Sequence, residues 1–165
     1  MIPKTLLVDS HGRTIRDLRI SITDRCNFRC LYCLPETEAA ANFYRGRWQD
    51  SPQKPIQHAW KPKNEILSFE EIERITRIAT HCGIDKIRLT GGEPLLRKNV
   101  VSLVQKLAAI PGVSDLAMTT NGFLFPKCAE ELKAAGLHRI SISLDSFDKD
   151  NFKRLTGKQG LDEVL

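Results

Sequence analysis

The chain is 165 residues long, with 41% apolar and 27% charged side chains and a net charge of +5, the make-up of an ordinary globular domain with enough chain for a core. No apolar run reaches membrane-spanning length, and residues 1–20 mix charge and apolar side chains too finely for a secretory leader, so a cytoplasmic protein with no membrane partner is expected. The surplus charge suits an anionic ligand such as a nucleoside triphosphate, although the lysines and arginines are dispersed as on any solvated surface, and no nucleic-acid partner is expected.

Residues 18–23 alternate as a strand, with Leu18, Ile20 and Ile22 on one face and Arg19, Ser21 and Thr23 on the other. Directly after it comes Cys26-Asn27-Phe28-Arg29-Cys30-Leu31-Tyr32-Cys33. A cubane of four irons and four sulfides normally takes four thiolates, so a compact triplet implies a cluster with one iron open to a ligand the protein does not supply. Reduced cytoplasmic thiols gathered in this way usually mean metal or redox chemistry. Tetrahedral zinc is the competing reading, but it wants a fourth ligand, and His11, His58, His81, Cys82 and Cys128 are scattered. Inert thiols are the third.

Residues 37–63 are polar, carry Pro52, Pro55 and Pro62, and read as an irregular insertion in which Trp48 and Trp60 form a lid or cover the rim. The first long helix starts at the capping box Ser68-Phe69-Glu70-Glu71, buries Ile72, Ile75, Ala79 and Cys82, and ends at Gly83. A strand at 86–90 then sets Ile87 and Leu89 against Lys86, Arg88 and Thr90. In Gly91-Gly92-Glu93, two residues without Cβ let backbone approach a ligand, and a carboxylate can accept hydrogen bonds from an ammonium group. A second helix follows Pro94 and carries Val100, Val104 and Leu107 to Pro111-Gly112. The strand at 116–120 turns Ala117, Thr119 and Asn121 one way; a third helix from Pro126 to Gly136 buries Cys128 and Leu132. The strand at 139–145 sets Ser141, Ser143 and Asp145 against Ile140, Ile142 and Leu144, a helix spans 148–155, and another helical pattern opens at 160–165.

Strands alternating with helices predict parallel βα units, an α/β fold forming part of a parallel barrel. The apolar strand faces then pack on helices and the polar ones point inward. A closed barrel normally fills its centre with branched apolar side chains, whereas this one would line it with charge and hydroxyls, which is costly unless a polar ligand occupies the space. An antiparallel sheet with one wet face would alternate in the same way; the intervening helices argue against it.

The cysteine triplet, together with Arg16-Asp17-Leu18-Arg19-Ile20-Ser21-Ile22-Thr23-Asp24-Arg25, Lys86-Ile87-Arg88-Leu89-Thr90-Gly91-Gly92-Glu93-Pro94, Thr119-Thr120-Asn121-Gly122 and Arg139-Ile140-Ser141-Ile142-Ser143-Leu144-Asp145-Ser146, closely resembles the radical S-adenosylmethionine superfamily and, within it, the GTP 3′,8-cyclase family of molybdenum cofactor biosynthesis. The resemblance implies a radical SAM core over residues 1–165, the first four units of an open, TIM-like (β/α)6 barrel whose family runs to about twice this length. It implies one 4Fe-4S cluster on Cys26, Cys30 and Cys33, and S-adenosyl-L-methionine bound by Tyr32, Gly92 and Ser143, with Glu93 as a further contact. It assigns Arg19, Arg88 and Thr119 to GTP, with Lys86 a weaker candidate, and a second 4Fe-4S cluster to a C-terminal half. The implied activity is that of a lyase. The electron donor would be a flavodoxin or ferredoxin and the product would pass to a pterin-forming enzyme; a homodimer is one arrangement open to the full-length protein. The rival functions are another radical SAM enzyme, acting on a peptide or deazapurine, and a non-catalytic zinc-binding module.

Overall fold

A computed structural model describes residues 6–45 and 54–165; Trp48 and Pro52 lie outside them. Four strands, β1 (Asp17–Ser21), β2 (Lys86–Thr90), β3 (Asp115–Thr120) and β4 (Arg139–Ile142), pair in parallel in the order β1-β2-β3-β4. Each step from a strand to its parallel neighbour crosses over through helix, as parallel pairing requires. The helices are α1 (Glu38–Tyr44), α2 (Phe69–His81), α3 (Val100–Ala108), α4 (Ala129–Ala134) and α5 (Lys149–Thr156).

The strand parity expected from sequence decides the layers. Ile20, Ile22, Ile87, Leu89, Leu116 and Met118 form one core with Ile72 and Ala79 of α2, Leu103, Val104 and Leu107 of α3, and Leu132 of α4. The opposite face carries Arg19, Arg88, Thr119 and Ser141, and no helix covers it among the described residues. β1 and β4 are the edges, so the sheet is an open arc of the expected barrel.

Several boundaries differ from the sequence reading. Pro94–Leu96 form a 3-10 turn, and α3 starts only after Asn99, whose φ of 62° interrupts the helical path. Pro126 likewise sits in a 3-10 turn, Phe125–Lys127, ahead of α4. β4 stops at Ile142 because its partner β3 ends at Thr120, whose carbonyl takes the last bond, from Ser143 N at 2.9 Å. Ile75 is exposed rather than part of the buried stripe; Thr76 takes that position and satisfies its hydroxyl on Ile72 O at 2.8 Å. Residues 160–165 form turns, not a helix.

Segment 37–63 contains an element its proline content hides. Thr37 caps α1 by accepting from Ala40 N at 3.1 Å, and Ala40 and Ala41 are buried.

Candidate functional site

The cysteine loop leaves the sheet at the top of β1, and three sets of contacts hold it. The first comes from the turn that follows β2. Gly92 N donates to Thr23 O and Glu93 N to Arg25 O, both at 2.7 Å. A Cβ on Gly91 would fall 2.4 Å from Thr23 O, and one on Gly92 would fall 2.4 Å from Arg25 O. The two glycines are thus required by the approach of the chain's own backbone, a role the turn motif alone did not reveal.

The second comes from the far end of the chain. Arg29 N bonds Thr156 O and Leu31 N bonds Leu155 O, while Phe28 packs with Phe152, Leu161 and Val164 in a second core that also touches Cys26, Cys30 and Phe123. Phe28 meets Phe123 and Phe152 edge to face, with ring centroids 6.0 and 5.8 Å apart. The third comes from segment 37–63. Tyr44 Oη donates to Tyr32 O, Trp60 lies 5.4 Å from the Arg29 guanidinium, and Lys61 N donates to Asp24 Oδ2 at 2.7 Å. Arg29 itself donates to Cys26 O and Phe28 O, each at 2.8 Å, and pairs with Glu36 at 2.6 Å.

Cys26 and Cys30 are half-buried, Cys33 is exposed, and all three are free thiols. Burial raises the Cys26 thiol above its ordinary range and pushes the Cys30 thiol up to about 11; Glu93 and Cys33 raise the first further, Cys26 and Cys33 the second. Among the described residues, no three His, Cys, Asp or Glu side chains are gathered at the spacing of a single metal ion. The donor set fits a cluster that spreads its bonds over several irons: three thiols on one loop, within electrostatic reach of each other, anchored from behind and open in front.

Tyr32 Oη donates to Asp145 Oδ2 at 2.5 Å, tying the loop to the segment after β4. Partial burial, and then this hydrogen bond, move the phenol above its usual range. Ser143, two residues before Asp145 in the chain, is exposed. Glu93 has a different place from the one expected. It is 0% exposed, and its carboxylate accepts from Thr120 Oγ1 (2.7 Å), Asn121 N (2.8 Å) and Leu95 N (3.0 Å). It anchors the tops of β2 and β3.

On the polar face Arg19 and Arg88 stand side by side in register. Arg88 Nη1 donates to Thr119 Oγ1 (3.2 Å) and Ser141 Oγ (3.0 Å), and neither arginine has a carboxylate partner among the described residues. The arginines near the starts of the strands behave otherwise: Arg16 pairs with Asp85 and Arg139 with Asp115, holding both carboxylates below their ordinary range. Lys86 lies in register between Asp17 and Asp115, the second of which is paired with Arg139. A cleft of about 520 Å³ between Thr23, Arg25, Phe69 and Arg97 lies beside the loop's first residues rather than over this face.

A loop of three thiols above the first strand of a parallel α/β arc, with unneutralised arginines on the sheet face below, is the layout of a cluster-dependent enzyme of the barrel class. Residues 20–165 match the model of the radical SAM superfamily, and the chain belongs to it. It is 48% identical over 158 residues to the GTP 3′,8-cyclase of Syntrophomonas wolfei, covering 96% of this chain and 43% of that protein. It is 45% identical over 152 residues to the GTP 3′,8-cyclase of Staphylococcus carnosus, covering 92% of this chain and 40% of that one. The chain therefore spans about two fifths of the length of these curated relatives. In fold it is similar to Streptococcus suis SuiB bound to S-adenosylmethionine, with a TM-score of 0.62 at 20% identity over 87% of this chain and 28% of that one. Membership of the superfamily implies a 4Fe-4S cluster and S-adenosylmethionine binding. No helix among the described residues is long and apolar enough to cross a membrane.

Proposed function

We propose that this chain carries the radical-generating core of a GTP 3′,8-cyclase, the enzyme that joins C3′ of the ribose of GTP to C8 of its guanine to give the precursor of the molybdenum cofactor pterin. The observation that carries the substrate is the Arg19–Arg88 pair. Like charges side by side on adjacent strands repel, and neither is answered by a carboxylate, so the arrangement calls for an anion from outside the protein. Arg88 is oriented by two hydroxyls, which leaves its Nε and Nη2 donors free of protein partners among the described residues and keeps its full charge for phosphate or ribose oxygens. The identity to curated cyclases over nearly the whole chain supports the same reading.

In this reading Cys26, Cys30 and Cys33 hold the cluster, and Tyr32, Gly92 and Ser143 line the place of S-adenosylmethionine. When bound, the two supply reductive cleavage of a carbon–sulfur bond and hence the means to remove a hydrogen atom from substrate. Arg19, Arg88 and Thr119 grip GTP, and Glu93 holds β2 and β3 in register beneath. The second cluster, the electron donor and the pterin-forming partner belong to the complete enzyme.

The test is iron content after anaerobic reconstitution. About four irons per chain are expected, in line with a cubane. Alanine at Cys26, Cys30 or Cys33 should abolish loading, while Cys82→Ala and Cys128→Ala leave it intact; equal loss from Cys82→Ala would overturn the ligand assignment.

A further inference from the structure

Asn121 stands just past β3 with its backbone N–H and both side-chain polar atoms engaged. Its backbone N–H donates to Glu93 Oε2 at 2.8 Å and its Oδ1 accepts from Phe123 N at 3.1 Å. Its Nδ2 donates to Asn27 Oδ1 at 2.8 Å and to Cys26 Sγ at 3.9 Å. The backbone N–H of Phe28 approaches the same sulfur at 3.4 Å. Among the described residues no amide hydrogen bonds the sulfur of Cys30 or Cys33, and the contact to Cys30 comes from the Tyr32 hydroxyl instead, so Cys26 is the thiol to which amides donate.

We propose that Asn121 is a positioning residue that sets the reduction potential of the cluster through its N–H···S contact with Cys26, with Glu93 as its anchor and Asn27 fixing the amide plane. The inference rests on the three cysteines being cluster ligands. Reduction adds negative charge that the coordinating sulfurs share, and a donor aimed at one sulfur stabilises the reduced form more than the oxidised one. With the amide present the cluster accepts an electron more readily; without it, the cluster is harder to reduce.

The experiment uses the full 165-residue chain, reconstituted anaerobically with iron and sulfide and poised in a redox buffer near the wild-type midpoint, with the reduced fraction read by electron paramagnetic resonance. Asn121→Ala removes the side chain. Asn121→Ser keeps an oxygen to accept from Phe123 N while losing the amide, and it covers the case in which alanine does not fold. Iron content at the wild-type level with a reduced-to-oxidised ratio at least threefold lower is expected in each folded variant. A ratio unchanged at full iron content overturns the proposal, as does loss of iron in both variants, which would make Asn121 a structural prop for the loop. Absence of iron from the wild-type chain would instead overturn the cluster reading itself.

Discussion

Arginines in or beside the strands have been given different tasks by what faces them. Arg16 and Arg139 are neutralised by Asp85 and Asp115, while Arg19 and Arg88 are not. Arg88→Ala, made in a complete cyclase chain, should therefore weaken GTP binding by about 1.5–3 kcal/mol and leave S-adenosylmethionine binding unchanged, as measured by calorimetry. Loss of thermal stability with GTP affinity preserved would mark Arg88 as structural instead. The thiols allow a pH prediction. Burial favours neutral Cys26 and Cys30 in the folded, cluster-free chain, so their folded pKa values lie above the unfolded one. The stability this gives is complete below the ordinary thiol value of 9.0 and is lost as pH climbs through the value of about 11 at Cys30. Denaturation midpoints of the apo chain should fall over that interval, and Cys30→Ser should flatten the fall.

At the scale of elements, the cysteine loop is built from parts distant in sequence. α5 supplies Phe152, fully buried, and two carbonyls for the backbone of Arg29 and Leu31. Phe152→Ala should cost about 3–5 kcal/mol through cavity formation. Because Phe152 belongs to the loop's own core and not to the sheet's, the loss should appear first as poor iron loading, with far-ultraviolet circular dichroism retained. Coincident loss of both would show that the two cores unfold as one. Segment 37–63 makes a matching contribution through Tyr44 and Trp60. It reads as irregular from its prolines, yet it braces the loop from outside.

The whole molecule presents β4 as an open edge, with Ile142 40% and Phe147 78% exposed beside it. Unpaired strand groups next to apolar surface favour association. The 165-residue chain should self-associate on dilution series by light scattering, and charged substitution at Phe147 should reduce this. Incubated anaerobically with dithionite, S-adenosylmethionine and GTP, it should release 5′-deoxyadenosine slowly and form no cyclised nucleotide, since these residues span about two fifths of the cyclases they resemble. Cyclised product well above a protein-free control would show that they suffice.

Local patterns were enough for the strands, their parallel pairing and the polar face, because alternation with period two and the capping box at Ser68 are written in neighbouring residues. The cysteine spacing was likewise visible as a cluster motif. What only the tertiary structure decided was which polar groups are already satisfied. Glu93 reads as a ligand contact beside two glycines, yet folding buries it against Thr120 and Asn121, and the glycines also make room for the backbone of Thr23 and Arg25. Asn121 and Phe28 stand inside motifs the sequence shows, but their partners are brought to them across the sheet and from the far end of the chain. Hydrogen-bond partners and packing neighbours at such separations depend on the closed loops between them, and no window of adjacent residues encodes that distance.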